Sequence, residues 1–151
     1  MREDAQKQII INSLKFLVDS KRIDLYAYSI MSNHLHLVWQ PLNKHSPGDI
    51  QASFLRHTGK QLLSSLLNHP RLNRNDFKVN RFDRQHQIWK REALSIELIS
   101  VPVFVQKLEY IHYNPVKAGL CNYPELYKYS SAKFYLDGMD EFCMLTHYSG
   151  N

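Results

Sequence analysis

The sequence has few of the features that define secreted, membrane-spanning or zinc-stabilised proteins. Its two cysteines, Cys121 and Cys143, form neither a metal-ligand spacing nor a disulfide framework. No stretch approaches the roughly 18 consecutive apolar residues of a membrane span, and the polar start does not resemble a signal peptide. No repeat, low-complexity segment or glycine-rich phosphate loop is present. We therefore expect a soluble, cytoplasmic protein with reduced thiols, associated with the nucleoid if it binds DNA.

The chain has enough length and apolar content for one folded domain. It has 151 residues, of which 44% are hydrophobic, so we expect a single domain over residues 1–151. The positive charge is concentrated between residues 71 and 91, where seven basic residues minus two acidic residues give +5, equal to the net charge of the whole chain. The basic residues are Arg71, Arg74, Lys78, Arg81, Arg84, Lys90 and Arg91.

Aromatic residues, including Trp89, are interleaved with this basic segment. Basic and aromatic side chains together are typical of single-stranded nucleic acid binding, because cations contact phosphates and rings stack on bases. A solvated basic loop with a few aromatic core anchors accounts for the segment equally well.

The hydrophobic pattern predicts helices and strands in one α+β domain. Apolar residues at helical spacing predict a helix over Asp4–Ser20, and residues 23–31 and 34–40 predict two strands joined by a turn at Ser32-Asn33. Ser46-Pro47-Gly48-Asp49 predicts the start of a second helix. We expect a further strand near residues 86–90.

The last predicted helix begins at Val101-Pro102. We expect an interruption at Asn114-Pro115, because proline disfavours a helical residue before it, and an end at Gly119. The aromatic tail, from Tyr123 to Tyr135, is expected to wrap around the core.

His34 and His36 are two residues apart on a predicted strand. Their side chains should point to the same face, with Leu35 and Leu37 on the other, so that two imidazoles can bind one metal ion. The spacing alone is weak evidence, because 8 histidines in 151 positions give roughly 0.4 such pairs by chance. Two partly buried histidines with ordinary hydrogen bonds are the alternative.

A second group of polar residues lies on the predicted helix after Val101. Gln106, Tyr110 and Asn114 are four residues apart and therefore share one face. A tyrosine can act as a covalent nucleophile, although a phenol with a pKa of about 10 needs an activated electrophile or a nearby cation. A metal ion that polarises a phosphate makes it an activated electrophile. Asn114 could add an oxygen ligand for that metal to the two imidazoles. A surface tyrosine and an asparagine that merely precedes a proline are the alternative.

Three segments resemble the single-tyrosine HUH transposases, in the order of that family. Residues 28–38 (YSIMSNHLHLV) resemble the His-hydrophobic-His segment, and residues 110–120 (YIHYNPVKAGL) are similar to the tyrosine helix of the REP-associated branch. Residues 129–132 (YSSA) resemble a further element of that branch. The resemblance extends from about Leu14 to Tyr135, and the joint occurrence of the segments is more specific than any one of them.

The resemblance implies a ferredoxin-like antiparallel sheet with helices packed on one face, and an enzyme that nicks and joins single-stranded DNA near hairpins. It implies that His34, His36 and Asn114 hold Mg²⁺ or Mn²⁺ and that Tyr110 forms a 5′-phosphotyrosine. Tyr113 is the rival nucleophile. The basic segment and Trp89 are expected to bind the DNA.

The chain departs from the family at its beginning, where members carry a strand before the first helix. Here the helical pattern begins at Asp4, so we expect a sheet with a gap beside the His34–Gln40 strand. A tail strand near Phe142–Thr146 or a second copy of the chain could fill it, and we favour a homodimer. The rival functions are a nucleic-acid-binding protein without catalysis, and a zinc hydrolase in which His34, His36 and a carboxylate bind the metal.

Overall fold

The structure is a computed structural model that describes residues 4–67, 88–89, 95–98 and 100–150. Along these residues the elements are α1 (Asp4–Asp19), β1 (Ile23–Ile30), β2 (Leu35–Pro41), α2 (Pro47–Leu67), α3 (Val101–Lys117), a 3₁₀ turn (Pro124–Leu126) and α4 (Ala132–Asp137). Helices combined with an antiparallel hairpin confirm the predicted α+β class. The first two strands and the starts of α1, α2 and α3 lie where the sequence pattern predicts them.

The two strands form an antiparallel hairpin that runs from the Ile23–Pro41 pair to the Ile30–Leu35 pair. A bulge between Leu25 and Ala27 interrupts the register, so side chains on either side of it point to opposite faces of the sheet. Leu25 therefore packs in the larger core cluster, whereas Ala27 packs against α3 in a second cluster. Both faces of β1 are thus apolar and need to be covered.

Helices cover both faces of the hairpin, and the expectation that they pack on one face is wrong. The apolar stripes of α1 and α2, including Leu14 and Phe54, pack on the face that carries Leu35 and Leu37. Leu108 and Ile111 of α3 pack on the opposite face, against Val38. Because His36 alternates with Leu35 and Leu37, it lies on the face that α3 covers.

Helix α3 runs through Pro115 to Lys117, so the predicted interruption at Asn114-Pro115 is wrong. Proline is tolerated here because it lies one turn from the end of the helix, where only one internal hydrogen bond is lost. The carbonyls of Asn114, Pro115 and Val116 accept hydrogen bonds from the amides of residues 118, 120 and 119 respectively. Gly119 has a φ of 69° just after the helix, which confirms its predicted role at the C-terminus.

The C-terminal tail packs on the core and contacts the outer edge of β1. Ser130 forms an isolated antiparallel bridge with Ser29, and Leu145 forms a parallel bridge with Leu25. The tail therefore meets β1 on the side opposite β2, and it does not fill the expected gap beside β2. Over the described residues the sheet has only β1 and β2.

The predicted strand near residues 86–90 lies mostly outside the described residues. The two that are described, Ile88 and Trp89, form a bend rather than a strand. Both side chains pack against the main core cluster.

Candidate active site

His34 and His36 lie next to each other at the start of β2, on the face that α3 covers. Their ring centroids are 5.0 Å apart and the rings meet edge to face at 82°. The Nδ1 of His34 lies 2.6 Å from the Oδ1 of Asn33. With Nδ1–H donating to that oxygen, the neutral ring keeps the lone pair of Nε2 as a ligand atom. The geometric expectation for the two rings is met, whereas metal binding stays a prediction.

Asn114 of α3 reaches across to the second histidine. Its Nδ2 lies 3.1 Å from the Nε2 of His36, although 78 residues separate the two in the chain. Burial lowers the pKa of His36, and the neighbouring His34 lowers it further, so His36 is neutral at physiological pH. A neutral imidazole is the form that a metal ligand requires.

Two imidazole nitrogens and one amide oxygen favour Mg²⁺ or Mn²⁺ less strongly than carboxylates would, but the spacing of the atoms is compatible with such an ion. Two adjacent ligands of an octahedral ion with bonds of about 2.1 Å lie roughly 3.0 Å apart, close to the separation of the His36 and Asn114 atoms. Rotation of the Asn114 amide by half a turn would present Oδ1 instead of Nδ2 at the same position. Two imidazoles and an amide oxygen leave positions open for phosphate and water.

Tyr110 lies beside the histidines and is open to solvent. Its ring meets that of His36 edge to face, with centroids 5.9 Å apart, and half of its surface is exposed. Two ammonium groups lie near the ring: the Nζ of Lys117 at 5.5 Å and that of Lys107 at 6.0 Å from the ring centroid. Tyr110 therefore lies between a histidine and two cations, where an incoming phosphate would be attracted.

The two lysines are residues that the motif analysis missed. Lys107 precedes Tyr110 by three positions and Lys117 follows it by seven, spacings that place both on the tyrosine's side of a helix. Helical spacing alone could have found them. Tyr113, the rival nucleophile, is also exposed, but the ring that contacts His36 belongs to Tyr110.

A buried hydrogen-bond network fixes α3 to the sheet. The Nε2 of His112 lies 2.7 Å from the Oγ of Ser131, and the same oxygen accepts a hydrogen bond from the amide of Tyr28 at 3.0 Å. Ser131 Oγ also donates to the carbonyl of Tyr28 at 3.2 Å. A serine hydroxyl has one proton and two lone pairs, so all three bonds form when His112 donates from Nε2. Burial lowers the pKa of His112 to about 4, which keeps it neutral.

This network gives residues 129–132 a structural role. Ser131 joins β1 to α3 at His112, two residues from both Tyr110 and Asn114. The sequence analysis singled out this segment by resemblance but did not find its partner His112, whose burial only the folded chain reveals.

Among the residues predicted to bind DNA, only Trp89 is described. Its indole Nε1 donates a hydrogen bond to the buried Oγ1 of Thr58 at 2.9 Å, and its ring lies against Gly59 of α2. The tryptophan thus serves as a core anchor on α2, and its contact with DNA stays a prediction. The others, all basic, lie outside the described residues: Arg71, Arg74, Lys78, Arg81, Arg84, Lys90 and Arg91.

The described part of the chain offers His34 and His36 no third ligand of the kind that zinc hydrolases use. Within it, no three histidine, cysteine, aspartate or glutamate side chains gather closely enough to hold a metal ion. Asn114 is instead the polar side chain next to the pair.

Comparison of the chain with protein-family models, curated proteins and solved structures found no match. Within the described residues, no helix is both long and apolar enough to span a membrane. Cys121 and Cys143 are free thiols.

Proposed function

We propose that this chain is a metal-dependent, single-tyrosine enzyme that nicks and rejoins single-stranded DNA near hairpins, as the transposases it resembles do. The observation that carries the proposal is the meeting of His36, Asn114 and Tyr110, which come from two distant segments. In a His-x-His pair that arose by chance, there is no reason for the histidines to lie against a helix face that carries both a tyrosine and an amide.

Each residue has a distinct part in the proposed reaction. His34, His36 and Asn114 would hold Mg²⁺ or Mn²⁺, which polarises the scissile phosphate when bound. The phenol oxygen of Tyr110 attacks the phosphorus and forms an O–P bond. The P–O3′ bond breaks, the leaving oxygen takes a proton to become a 3′-hydroxyl, and the phosphate stays on Tyr110 as a 5′-phosphotyrosine. Attack by a 3′-hydroxyl on that linkage rejoins the strand and restores the phenol.

Lys107 and Lys117 would hold the DNA backbone at the tyrosine. Their ammonium groups lie near the exposed ring of Tyr110 and attract the charged phosphate. The basic segment between residues 71 and 91 would supply further phosphate contacts. A homodimer remains part of the proposal, because over the described residues nothing pairs with the outer edge of β2.

Covalent attachment to DNA tests the proposal directly. The chain is incubated with hairpin-bearing single-stranded DNA and Mn²⁺, and denaturing electrophoresis then separates protein–DNA adducts. We expect an adduct with the natural chain and none with Tyr110→Phe, whose DNA binding should stay nearly unchanged. Tyr123→Phe is the matched control, because Tyr123 is also an exposed tyrosine but lies outside the site.

Two results would argue against the proposal. An adduct of unchanged yield with Tyr110→Phe would place the nucleophile elsewhere. DNA binding without any adduct, over a range of hairpins and metals, would favour the alternative of a binding protein that lacks catalysis.

A further inference from the structure

A groove of about 710 Å³ lies beside Tyr110, between α3 and the segment that contains the 3₁₀ turn and α4. Its volume is within the range of pockets that bind small organic groups. Tyr110 and Tyr113 line it from α3, and Pro124, Tyr135 and Leu136 line it from the other side. The same tyrosine ring therefore borders both the histidine pair and this groove.

The lining is aromatic and apolar, with a carboxylate on each side. Glu109 belongs to α3 and Glu125 to the 3₁₀ turn, while Lys117 is the one cation among the described lining residues. Two carboxylates and one ammonium give a net negative lining, which disfavours a phosphate inside the groove. An uncharged, flat group that donates hydrogen bonds suits it better.

Tyr113 offers an open aromatic surface at this groove. It is 53% exposed, and among the described residues no other aromatic ring packs on it. Tyr135, in contrast, already packs against His112 and donates a hydrogen bond to the carbonyl of Tyr26 at 2.9 Å. A ligand ring that enters the groove therefore has the face of Tyr113 to stack on.

We propose that the groove binds a nucleobase adjacent to the phosphate that Tyr110 attacks, and that it selects bases with an exocyclic amino group. Tyr113 stacks on the base, and Glu109 and Glu125 accept hydrogen bonds from its amino group, as carboxylates do from cytosine. Uracil and thymine present a carbonyl at that position, which the carboxylates repel. This inference deepens the proposed function and rests on it for the identity of the ligand as DNA.

Cytosine and uracil are a matched pair for testing this selection, because they have the same ring size and differ only on one edge: cytosine has an amino group at C4 and an acceptor at N3, and uracil has a carbonyl at C4 and an N–H at N3. The probes are short, fluorescently labelled oligodeoxycytidine and oligodeoxyuridine of equal length, and fluorescence anisotropy measures their binding to the full chain. Phosphate contacts contribute equally to both, so the ratio of the two Kd values reports the base alone. We expect cytosine to bind roughly 5- to 100-fold more tightly. This is the discrimination that a pair of hydrogen bonds from a protein to one base provides.

Variants separate the roles of the groove residues. The double variant Glu109→Gln with Glu125→Gln should bring the ratio close to one, because an amide can donate to the carbonyl of uracil. Tyr113→Ala should weaken both probes by roughly 5- to 100-fold, the range seen when a stacking ring is removed. Tyr113→Phe keeps the ring and should bind as the natural chain does, and Tyr123→Ala controls for loss of an exposed tyrosine outside the groove.

Equal binding of the two probes by the natural chain would overturn the proposal, as would a double glutamine variant that keeps the full preference. Adduct formation on hairpin DNA separates this outcome from failure of the proposed function. A base preference without any adduct would reject the nuclease and retain the groove. An adduct with no preference would retain the nuclease and reject the groove. Loss of the adduct in Tyr113→Phe would show that Tyr113 acts through its hydroxyl and would also overturn the stacking role.

Discussion

Replacing Ser131 with alanine should lower the free energy of unfolding more than any other single hydroxyl deletion in the tail, because it weakens the attachment of α3 to the sheet. The side chain is 1% exposed and its Oγ is the meeting point of the His112 ring and the Tyr28 backbone. Alanine keeps the backbone bond from residue 131 to the Tyr28 carbonyl but removes all contacts of the hydroxyl. The amide of Tyr28 and the Nε2–H of His112 would both lose their partner.

The magnitude follows from the number of buried groups left without a hydrogen bond. Each costs about 1–3 kcal/mol, so two groups lower the free energy of unfolding by about 2–6 kcal/mol. Even the lower value is a large part of the 5–15 kcal/mol that holds a typical domain together. For a chain of this length, about 2 kcal/mol corresponds to a fall in Tm of roughly 4–8 °C.

Urea denaturation followed by circular dichroism measures the loss. Ser149→Ala is the matched control, because Ser149 is exposed and hydrogen-bonds only to the neighbouring His147. It should change the free energy of unfolding by less than about 0.5 kcal/mol. In a double-mutant cycle, Ser131→Ala should cost less stability when residue 112 is already leucine, because leucine has no N–H that loses its partner. The difference between the two costs is the coupling energy, and it should be clearly measurable. A loss no larger than that of Ser149→Ala, or a coupling near zero, would refute the network.

Three further predictions concern the metal, the pH and the salt dependence. His36→Ala should abolish Mn²⁺ binding measured by calorimetry, whereas His57→Ala, an exposed histidine on α2, should leave it unchanged; equal binding by both variants would remove His36 from the site. Burial raises the pKa of Tyr127 to about 12, above the unfolded value of about 10, so its stabilising contribution is complete below pH 10 and is lost as the pH rises towards 12. Tyr127→Phe should therefore flatten the alkaline decline of stability in urea titrations, and an unchanged decline would contradict this. DNA binding should weaken with salt with a log–log slope of about −3 to −4 if four to six phosphate contacts form, and a flat response would mean that the basic segment does not touch DNA.

Local patterns predicted most of the helices and both strands, because their causes are local. The helical spacing of Ile10, Leu14 and Leu17 is visible in the sequence, and all three side chains are buried. The alternation from His34 to Gln40 is equally visible and sets which face of the hairpin each side chain occupies. The wrong interruption at Pro115 has a local cause as well. A proline in the last turn of a helix removes one backbone hydrogen bond, and the helix can tolerate that loss there. Whether Pro115 lies in the last turn depends on where the helix ends, and the structure shows that it ends at Lys117.

Placement of the helices on the sheet could not be predicted from such patterns. The bulge between Leu25 and Ala27 changes which side of β1 is apolar, and no residue in that stretch signals it. The approach of Asn114 to His36 also depends on packing between segments that are far apart in the chain. Resemblance, rather than periodicity, joined these residues into one candidate site.

The distance along the chain between His36 and Asn114 has a consequence for synthesis of the protein. The hairpin is complete early, whereas α3 and the tail segment that holds it come from the last third of the chain. At 5–20 residues per second, the 78 residues between the two side chains take about 4 to 16 s to translate. A ribosome-bound chain thus displays its histidines for several seconds before the tyrosine and amide exist. The proposed site therefore cannot assemble until α3 has been translated, late in synthesis.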